Sequence, residues 1–314
     1  MRAISMQEFG GPEVLRIADV PIPQPRGAHH LLNVSRAGVN YADVHVRGNT
    51  YLAPVTLPYI PGNEVVGTTP DGQRFVGLTP GGGYAEQALV HRRVAWPVPD
   101  DISDDQAVAL ALQGQSAWHL LFTAAGLRAG ERVVIPAAAG GVGSLAVQLA
   151  KRAGATVIAL ASTEQKRHVA RDLGADAVVD STADDLTDRI REAARGPVQV
   201  ALEMTGGKVL QATLAALAPR GRLVVYGYAS GEAATVVTHA LMEKSLTVSG
   251  FWLPHLYGDR GALPTSMEEL FQAVRDGDLK PIVGKIYPLG EASVAHSRLA
   301  ARDHIGKLAL DVTR

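Results

Sequence analysis

From residue 132 onward the chain switches repeatedly between two periods. Short apolar or β-branched runs at residues 133–135, 156–160, 177–179, 199–202, 223–226 and 247–250 read as strands. Between most of them, residues 144–152, 164–173, 184–194 and 209–216 carry apolar positions at helical spacing. Six strands joined by right-handed crossovers predict one doubly wound α/β domain. The first 115 residues have another texture: Pro21, Pro23, Pro25, Pro54, Pro58, Pro61, Pro70 and Pro80, with glycines between short apolar runs, predict a small β-rich, loop-rich unit. After residue 250 the pattern predicts irregular chain, helices over 266–276 and 292–302, and a last strand over 307–312 that returns to the first unit.

Composition changes this picture only at its limits. At 314 residues and 46% hydrophobic the chain can fill two cores. A formal charge of −1 gives no electrostatic ground for expecting nucleic acid or an anionic membrane as partner. There is no cysteine, so disulfides, thiolate metal ligands and a cysteine nucleophile are excluded. The charged start of the chain lacks the apolar stretch of a signal peptide, so the expectation is a cytoplasmic protein. Residues 133–150 are uncharged and long enough to span a bilayer, but Pro136 and the glycines interrupt them and the strand-helix alternation claims them for a core.

The segment RVVIPAAAGGVGSLAVQLAK, residues 132–151, is strand, glycine turn and helix in twenty residues, the local form of a dinucleotide site. Gly140 and Gly141 offer no Cβ to a pyrophosphate approaching the amides of Ala139 to Val142, and Gly143 lets the helix lie close on the strand. At the end of the second strand an NAD site places an acid against the ribose hydroxyls. Here the strand ends Leu160-Ala161-Ser162-Thr163; Ser162 and Thr163 can donate to a 2′-phosphate and Lys166 can supply charge, which favours NADPH. The plainer alternative for Lys166 and Arg167 is a solvated helix face.

Asp43 and Arg47 are expected to form a buried structural pair. Ten histidines stand in no ligand spacing, so no metal site is expected.

The segments GVNYADVHVRGNTY (38–51), LPYIPGNEVVG (57–67), GGYAEQALV (82–90), ALQGQSAWHLL (111–121), AAAGGVGSLAVQLAK (137–151), LGADAVVD (173–180) and AHSRLAARDHIGKLAL (295–310) carry a resemblance that covers essentially the whole chain. The sequence resembles zinc-free medium-chain dehydrogenases/reductases of the quinone oxidoreductase (zeta-crystallin-like) branch. That resemblance implies a GroES-like catalytic domain over 1–115, completed by 254–314, and a six-stranded Rossmann domain over 116–253. It implies that the zinc ligands of relatives are replaced by Asn40 and Asn63.

It also implies that Ser116, Tyr226, Gly227 and the Phe251-Trp252-Leu253 segment bracket a nicotinamide, that Gly206 and Gly207 leave room for the ribose, and that Ser181 replaces a tyrosine beside the adenosine phosphate. Tyr226 and Phe251 read equally as core aromatics. The implied activity is hydride transfer from NADPH to a quinone or α,β-unsaturated carbonyl, which builds negative charge on an oxygen that a neutral donor can stabilise. For that donor the resemblance implies Asn40 and Tyr51, with His45 as a proton donor or as a wall of the pocket. An enoyl-thioester reductase is the near alternative, for which Arg26, Arg92, Arg93 and Arg260 are candidate entrance cations. A non-catalytic NADPH-binding structural, regulatory or nucleic-acid-binding protein is the alternative of another class. A homodimer paired through the strand at 247–250 is implied as well.

Overall fold

The computed structural model describes residues 1–25, 27–232 and 234–314, so Arg26 lies outside the described residues. The chain begins with an antiparallel pair, β1 (Arg2–Ser5) and β2 (Arg16–Asp19). β3 (His29–Val39) is the long central strand of a second sheet, and α1 (Tyr41–Arg47) follows it directly. Asn40 sets that turn, its backbone N–H donating to Asp43 Oδ2 at 2.9 Å. β4 (Glu64–Thr68), β5 (Arg74–Leu78), β6 (Gln87–His91) and β7 (Ala95–Pro97) complete the first run of strands. β4 pairs with β3, β5 with β4 and β7 with β5, while β6 pairs with the first half of β3, all antiparallel. α2 (Asp104–Ala109) starts at a capping box: Ser103 Oγ accepts from Gln106 N at 3.2 Å and Gln106 Oε1 accepts from Ser103 N at 3.0 Å.

A π-helical turn, Leu110–Gly114, leads into α3 (Gln115–His119) and then the alternating segment. In order this is β8 (Arg132–Ile135), α4 (Gly141–Arg152), β9 (Thr156–Ala161), α5 (Glu164–Asp172), β10 (Ala177–Asp180), α6 (Leu186–Ala194), β11 (Val198–Glu203), α7 (Gly207–Ala216), β12 (Leu217–Val225), α8 (Thr238–Lys244) and β13 (Thr247–Gly250). Every strand pairing is parallel, in the order β10-β9-β8-β11-β12-β13. This is the doubly wound order, with the reversal between β8 and β11. β12 begins six residues before its apolar run, because Leu217 pairs with Val198 before a register shift passes the positive-φ Arg220.

The chain then adds α9 (Ala262–Arg275), β14 (Val283–Pro288), α10 (Ala292–Ala300) and β15 (Lys307–Asp311). β15 pairs antiparallel with β3, and β14 runs parallel to β15. Two compact units result: Met1–Gln113 with Leu256–Arg275 and Pro281–Arg314, and Gly114–His255 with Asp276–Lys280. The short piece Asp276–Lys280 belongs to the second unit because the amide of Gln148, on α4, donates to Lys280 O at 3.1 Å and accepts from Lys280 N at 2.7 Å. The first unit packs around Ile4, Leu32, Val65, Tyr84 and Leu310, the second around Val134, Ile158, Leu160, Ile190 and Leu223.

Candidate functional site

In the second unit the candidate site residues collect at the carboxyl ends of parallel strands. The turn after β8 places Ala137 at φ +47, and Gly140 N donates to Ala137 O at 2.8 Å. A Cβ on Gly143 would collide with the Ala137 carbonyl, so glycine there permits the close seat of α4. Gly140 precedes the helix and no side chain caps it, which leaves its first amides to an anion. Ala139 is buried beneath this turn, while Gly140, Gly141 and Val142 are partly exposed.

β9 ends at buried Ala161, and Ser162 and Thr163 follow as exposed residues. Thr163 Oγ1 accepts from Lys166 N at 3.3 Å, so this threonine caps α5 and its hydroxyl hydrogen stays available to a ligand. Ser181 N donates to Ala161 O at 3.3 Å, bringing the ends of β9 and β10 together. Arg167 is not a solvated residue: it donates to Ala161 O at 3.2 Å and pairs with Asp180 at 3.1 Å, tying the two strand ends.

After β11, buried Glu203 turns its carboxylate onto the next loop, accepting from Thr205 N at 2.9 Å and Gly206 N at 3.1 Å. Burial pushes its pKa up, against those hydrogen bonds. Gly206 takes φ +84, a conformation that favours glycine, and α7 starts behind it. Tyr226 N donates to Glu203 O at 2.8 Å and Phe251 N to Val225 O at 2.8 Å, so Gly206, Tyr226, Gly227 and Phe251 stand on neighbouring strand ends. Tyr226 stays protonated because burial, then Glu203, raises its pKa. Trp252 is partly exposed and stacks edge-on to His255 at 5.0 Å, Leu253 is buried, and Ser116 lies buried on α3. Glu203 was not legible as a site residue; an acid at a strand end before Gly206-Gly207 is its only signal.

In the first unit a buried polar network forms where β15, β3 and β4 meet. Val39 pairs with Leu308 and Ala37 with Val65, so the same register carries Asn40 to Lys307 and Gly38 to Glu64. Lys307 Nζ donates to Asn40 Oδ1 at 2.7 Å and to Glu64 Oε2 at 2.5 Å, with both charged side chains fully buried. A Cβ on Gly38 would collide with the Glu64 carboxylate, which explains glycine at that point of the strand. Glu64 Oε1 accepts from Leu112 N at 2.5 Å, at the π-helical turn. Asn40 Nδ2 donates to Asn63 Oδ1 at 3.0 Å and to Glu64 Oε2 at 3.2 Å, and Gln113 Nε2 donates to Asn40 Oδ1 at 3.2 Å.

This saturation corrects the expectation that Asn40 holds a substrate oxygen directly. Both amide hydrogens and the oxygen of Asn40 are spent inside the network. The expected Asp43–Arg47 pair is also absent. Asp43 instead accepts from Asn40 N and from Tyr84 O–H at 3.0 Å, and Arg47 Nε and Nη1 have no hydrogen-bond partner among the described residues.

Tyr51 is half-buried against the core of the first unit. Tyr257 is its electrostatic neighbour: burial, then Tyr51 and Glu64, raises the Tyr257 pKa. His45, near the end of α1, hydrogen-bonds Thr50 Oγ1 at 3.0 Å, and burial lowers its pKa. A lowered pKa makes it a poor proton donor near neutrality, so the wall of the pocket is the better of its two readings. Arg92 and Arg93 follow β6 and Arg260 precedes α9, all exposed in separate segments. Among the described residues no group of three His, Asp or Glu could hold a metal ion.

Comparison with known proteins bears on both halves. A family model described as zinc-binding dehydrogenase matches residues 141–273. The quinone oxidoreductase of Rattus norvegicus is 32% identical over 99% of this chain and 97% of its own. The Escherichia coli quinone oxidoreductase, solved in complex with NADPH, superposes with a TM-score of 0.94 at 30% identity over 99% of this chain and 100% of that one. The Thermus thermophilus quinone oxidoreductase, solved alone and with NADPH, gives 0.90 at 34% identity over 99% and 100%.

Proposed function

Because the chain belongs to the quinone oxidoreductase branch of the medium-chain dehydrogenases/reductases, we propose that it is an NADPH-dependent, metal-free reductase of quinones or α,β-unsaturated carbonyls. The observation that carries this reading is the β8–α4 turn: a glycine cradle opening onto an uncapped helix start, beside a β9 end where Ala161 stands at the aligned place of an NAD site's acid and Ser162, Thr163 and, past Glu164, Lys166 follow. These residues fit the cofactor. Ala139, Gly140, Gly141 and Val142 would hold the pyrophosphate, and Ser162, Thr163, Lys166 and Ser181 the 2′-phosphate. Gly206, Tyr226, Gly227, Ser116 and Phe251 to Leu253 would hold the nicotinamide ribose and ring.

Bound there, NADPH would supply the hydride that the conjugated acceptor takes up. The chain's own share is orientation and charge stabilisation. Tyr51 donates its phenol O–H to the acceptor's carbonyl oxygen as charge accumulates there. Solvent then delivers the proton, so one hydride and one proton convert quinone to hydroquinone, or an enone to the saturated carbonyl. Asn40 and Asn63, where zinc relatives carry ligands, support the metal-free assignment.

The proposal extends to a cytoplasmic homodimer paired through β13; in its support, β13 is an edge strand with partly exposed residues. Among the described residues no helix is long and apolar enough to cross a membrane.

The test is turnover of NADPH against 1,4-benzoquinone, 9,10-phenanthrenequinone, simple enones and crotonyl-CoA. Turnover of quinones or free enones supports the proposal. Selective turnover of crotonyl-CoA would reassign the chain to thioester reduction.

A further inference from the structure

The buried network around Asn40 has a direction. A lysine ammonium only donates and a carboxylate only accepts, so Lys307 and Glu64 together fix which end of the Asn40 amide is oxygen. Oδ1 must face Lys307 Nζ, and Nδ2 must face Glu64 Oε2 and Asn63 Oδ1. Asn63 is then fixed in turn: its oxygen points inward to Asn40, and its Nδ2 points the other way. Turning the Asn63 amide over would set two N–H donors against each other. The backbone is held as well, Asn63 O accepting from Thr79 N at 3.1 Å and Gly62 O from Gly83 N at 3.0 Å. Asn63 is partly exposed, and its Nδ2 has no hydrogen-bond partner among the described residues.

We propose that Asn63 is the second catalytic donor of this site, giving an N–H to the substrate's carbonyl oxygen while Asn40, Lys307 and Glu64 act as positioning residues behind it. The inference rests on the reductase reading above and names the group that replaces Asn40 in it. Three consequences follow from the chemistry. The donor is neutral, so it stabilises a developing enolate or hydroquinone oxyanion without holding a proton that must be lost. It is oriented before substrate arrives, so no reorganisation is needed during hydride transfer. Its polarisation is cooperative, because each amide of the Lys307-Asn40-Asn63 chain donates onward through a buried partner. The hydride goes to the conjugated carbon, the electron pair moves to oxygen against the Asn63 N–H, and solvent protonates the product.

The experiment compares wild type with Asn63→Ala and Asn63→Asp under saturating NADPH. Asn63→Asp retains an inward acceptor for Asn40 and replaces the outward donor with a carboxylate oxygen. The expected result is a fall in kcat of about 100-fold in each variant, with the NADPH dissociation constant and melting temperature near wild type. Wild-type turnover equalled by Asn63→Asp would overturn the inference and leave the reductase reading intact. Absence of turnover in wild type would instead count against that reading.

A readout independent of turnover is the side-chain amide resonance pair of ¹⁵N-labelled protein that disappears in Asn63→Ala. In wild type with NADP⁺, addition of a hydroquinone is expected to shift this pair. An unmoved pair at saturating hydroquinone overturns the inference even if the variants fold poorly.

Discussion

Tyr84 has one hydroxyl hydrogen and two buried partners. Its O–H goes to Asp43 Oδ2, so His296 Nε2, at 3.0 Å, must donate to the phenol oxygen, and His296 Nδ1 is left as a lone pair without a partner. Protonating His296 would place an N–H without an acceptor in the core, near the Arg47 charge. Burial first and Arg47 second therefore hold its pKa down to about 3. The unfolded chain takes up this proton as pH drops below about 6.5 and the folded chain refuses it until about pH 3. The contribution is thus present above pH 6.5 and lost as pH falls toward 3.

Asp43 works in the opposite sense. Burial raises it to about 6, so its contribution is present below the unfolded value and lost as pH rises through 6. In wild type the two slopes offset each other between roughly pH 4 and 6. His296→Asn should remove one of them, so the difference in stability between wild type and variant shrinks by a few kcal/mol, on the order of 3, from pH 6.5 to pH 3.5. Thermal melts across that range check it, and a pH-independent difference would refute the assignment. At the proposed site, Tyr51→Phe is expected to lower kcat about 10- to 100-fold, while His45→Gln changes it less than about threefold. Steady-state kinetics with one quinone compares the two.

Among the elements, the proposed binding mode divides the cofactor's phosphates between α4 and α5. Lys166→Ala is expected to weaken NADPH about 10-fold or more through loss of a charged hydrogen bond, and to leave NADH nearly unchanged. Fluorescence titration with both nucleotides decides this, and equal weakening of the two would place Lys166 elsewhere. Lys307→Met strips the partner from buried Glu64 and should cost about 3 to 5 kcal/mol in chemical denaturation.

The six parallel strands could be read from sequence because each is a short apolar run bounded by a turn, and the glycine turn after β8 announces its own function. α1 was hidden in a proline- and glycine-rich region and has only seven residues. α2 does carry a readable sign, the capping pair of serine at 103 and glutamine at 106, set among prolines. The polar network was not legible at all. Glu64 and Lys307 are 243 residues apart, and only the meeting of β15, β3 and β4 makes them neighbours. The family resemblance offered Asn40 and Tyr51 as donors, yet a resemblance does not tell that an amide is buried and saturated.

At the scale of the whole molecule, the chain carries two cores, one in each unit. The proposal gives them different chemistries: an anion cradle on parallel strand ends in one, and neutral donors backed by the buried Lys307–Glu64 pair in the other. Pairing through β13 predicts a light-scattering mass twice that of the chain, and a mass equal to one chain would reject the homodimer. The central claim is tested most directly by the oxidation of NADPH by this protein in the presence and absence of 1,4-benzoquinone, with NADH as the parallel cofactor. The predicted result is quinone-dependent oxidation that is faster with NADPH than with NADH. Tight binding of NADPH without any oxidation by quinones, enones or crotonyl-CoA would contradict the reductase and leave a cofactor-binding protein without catalysis.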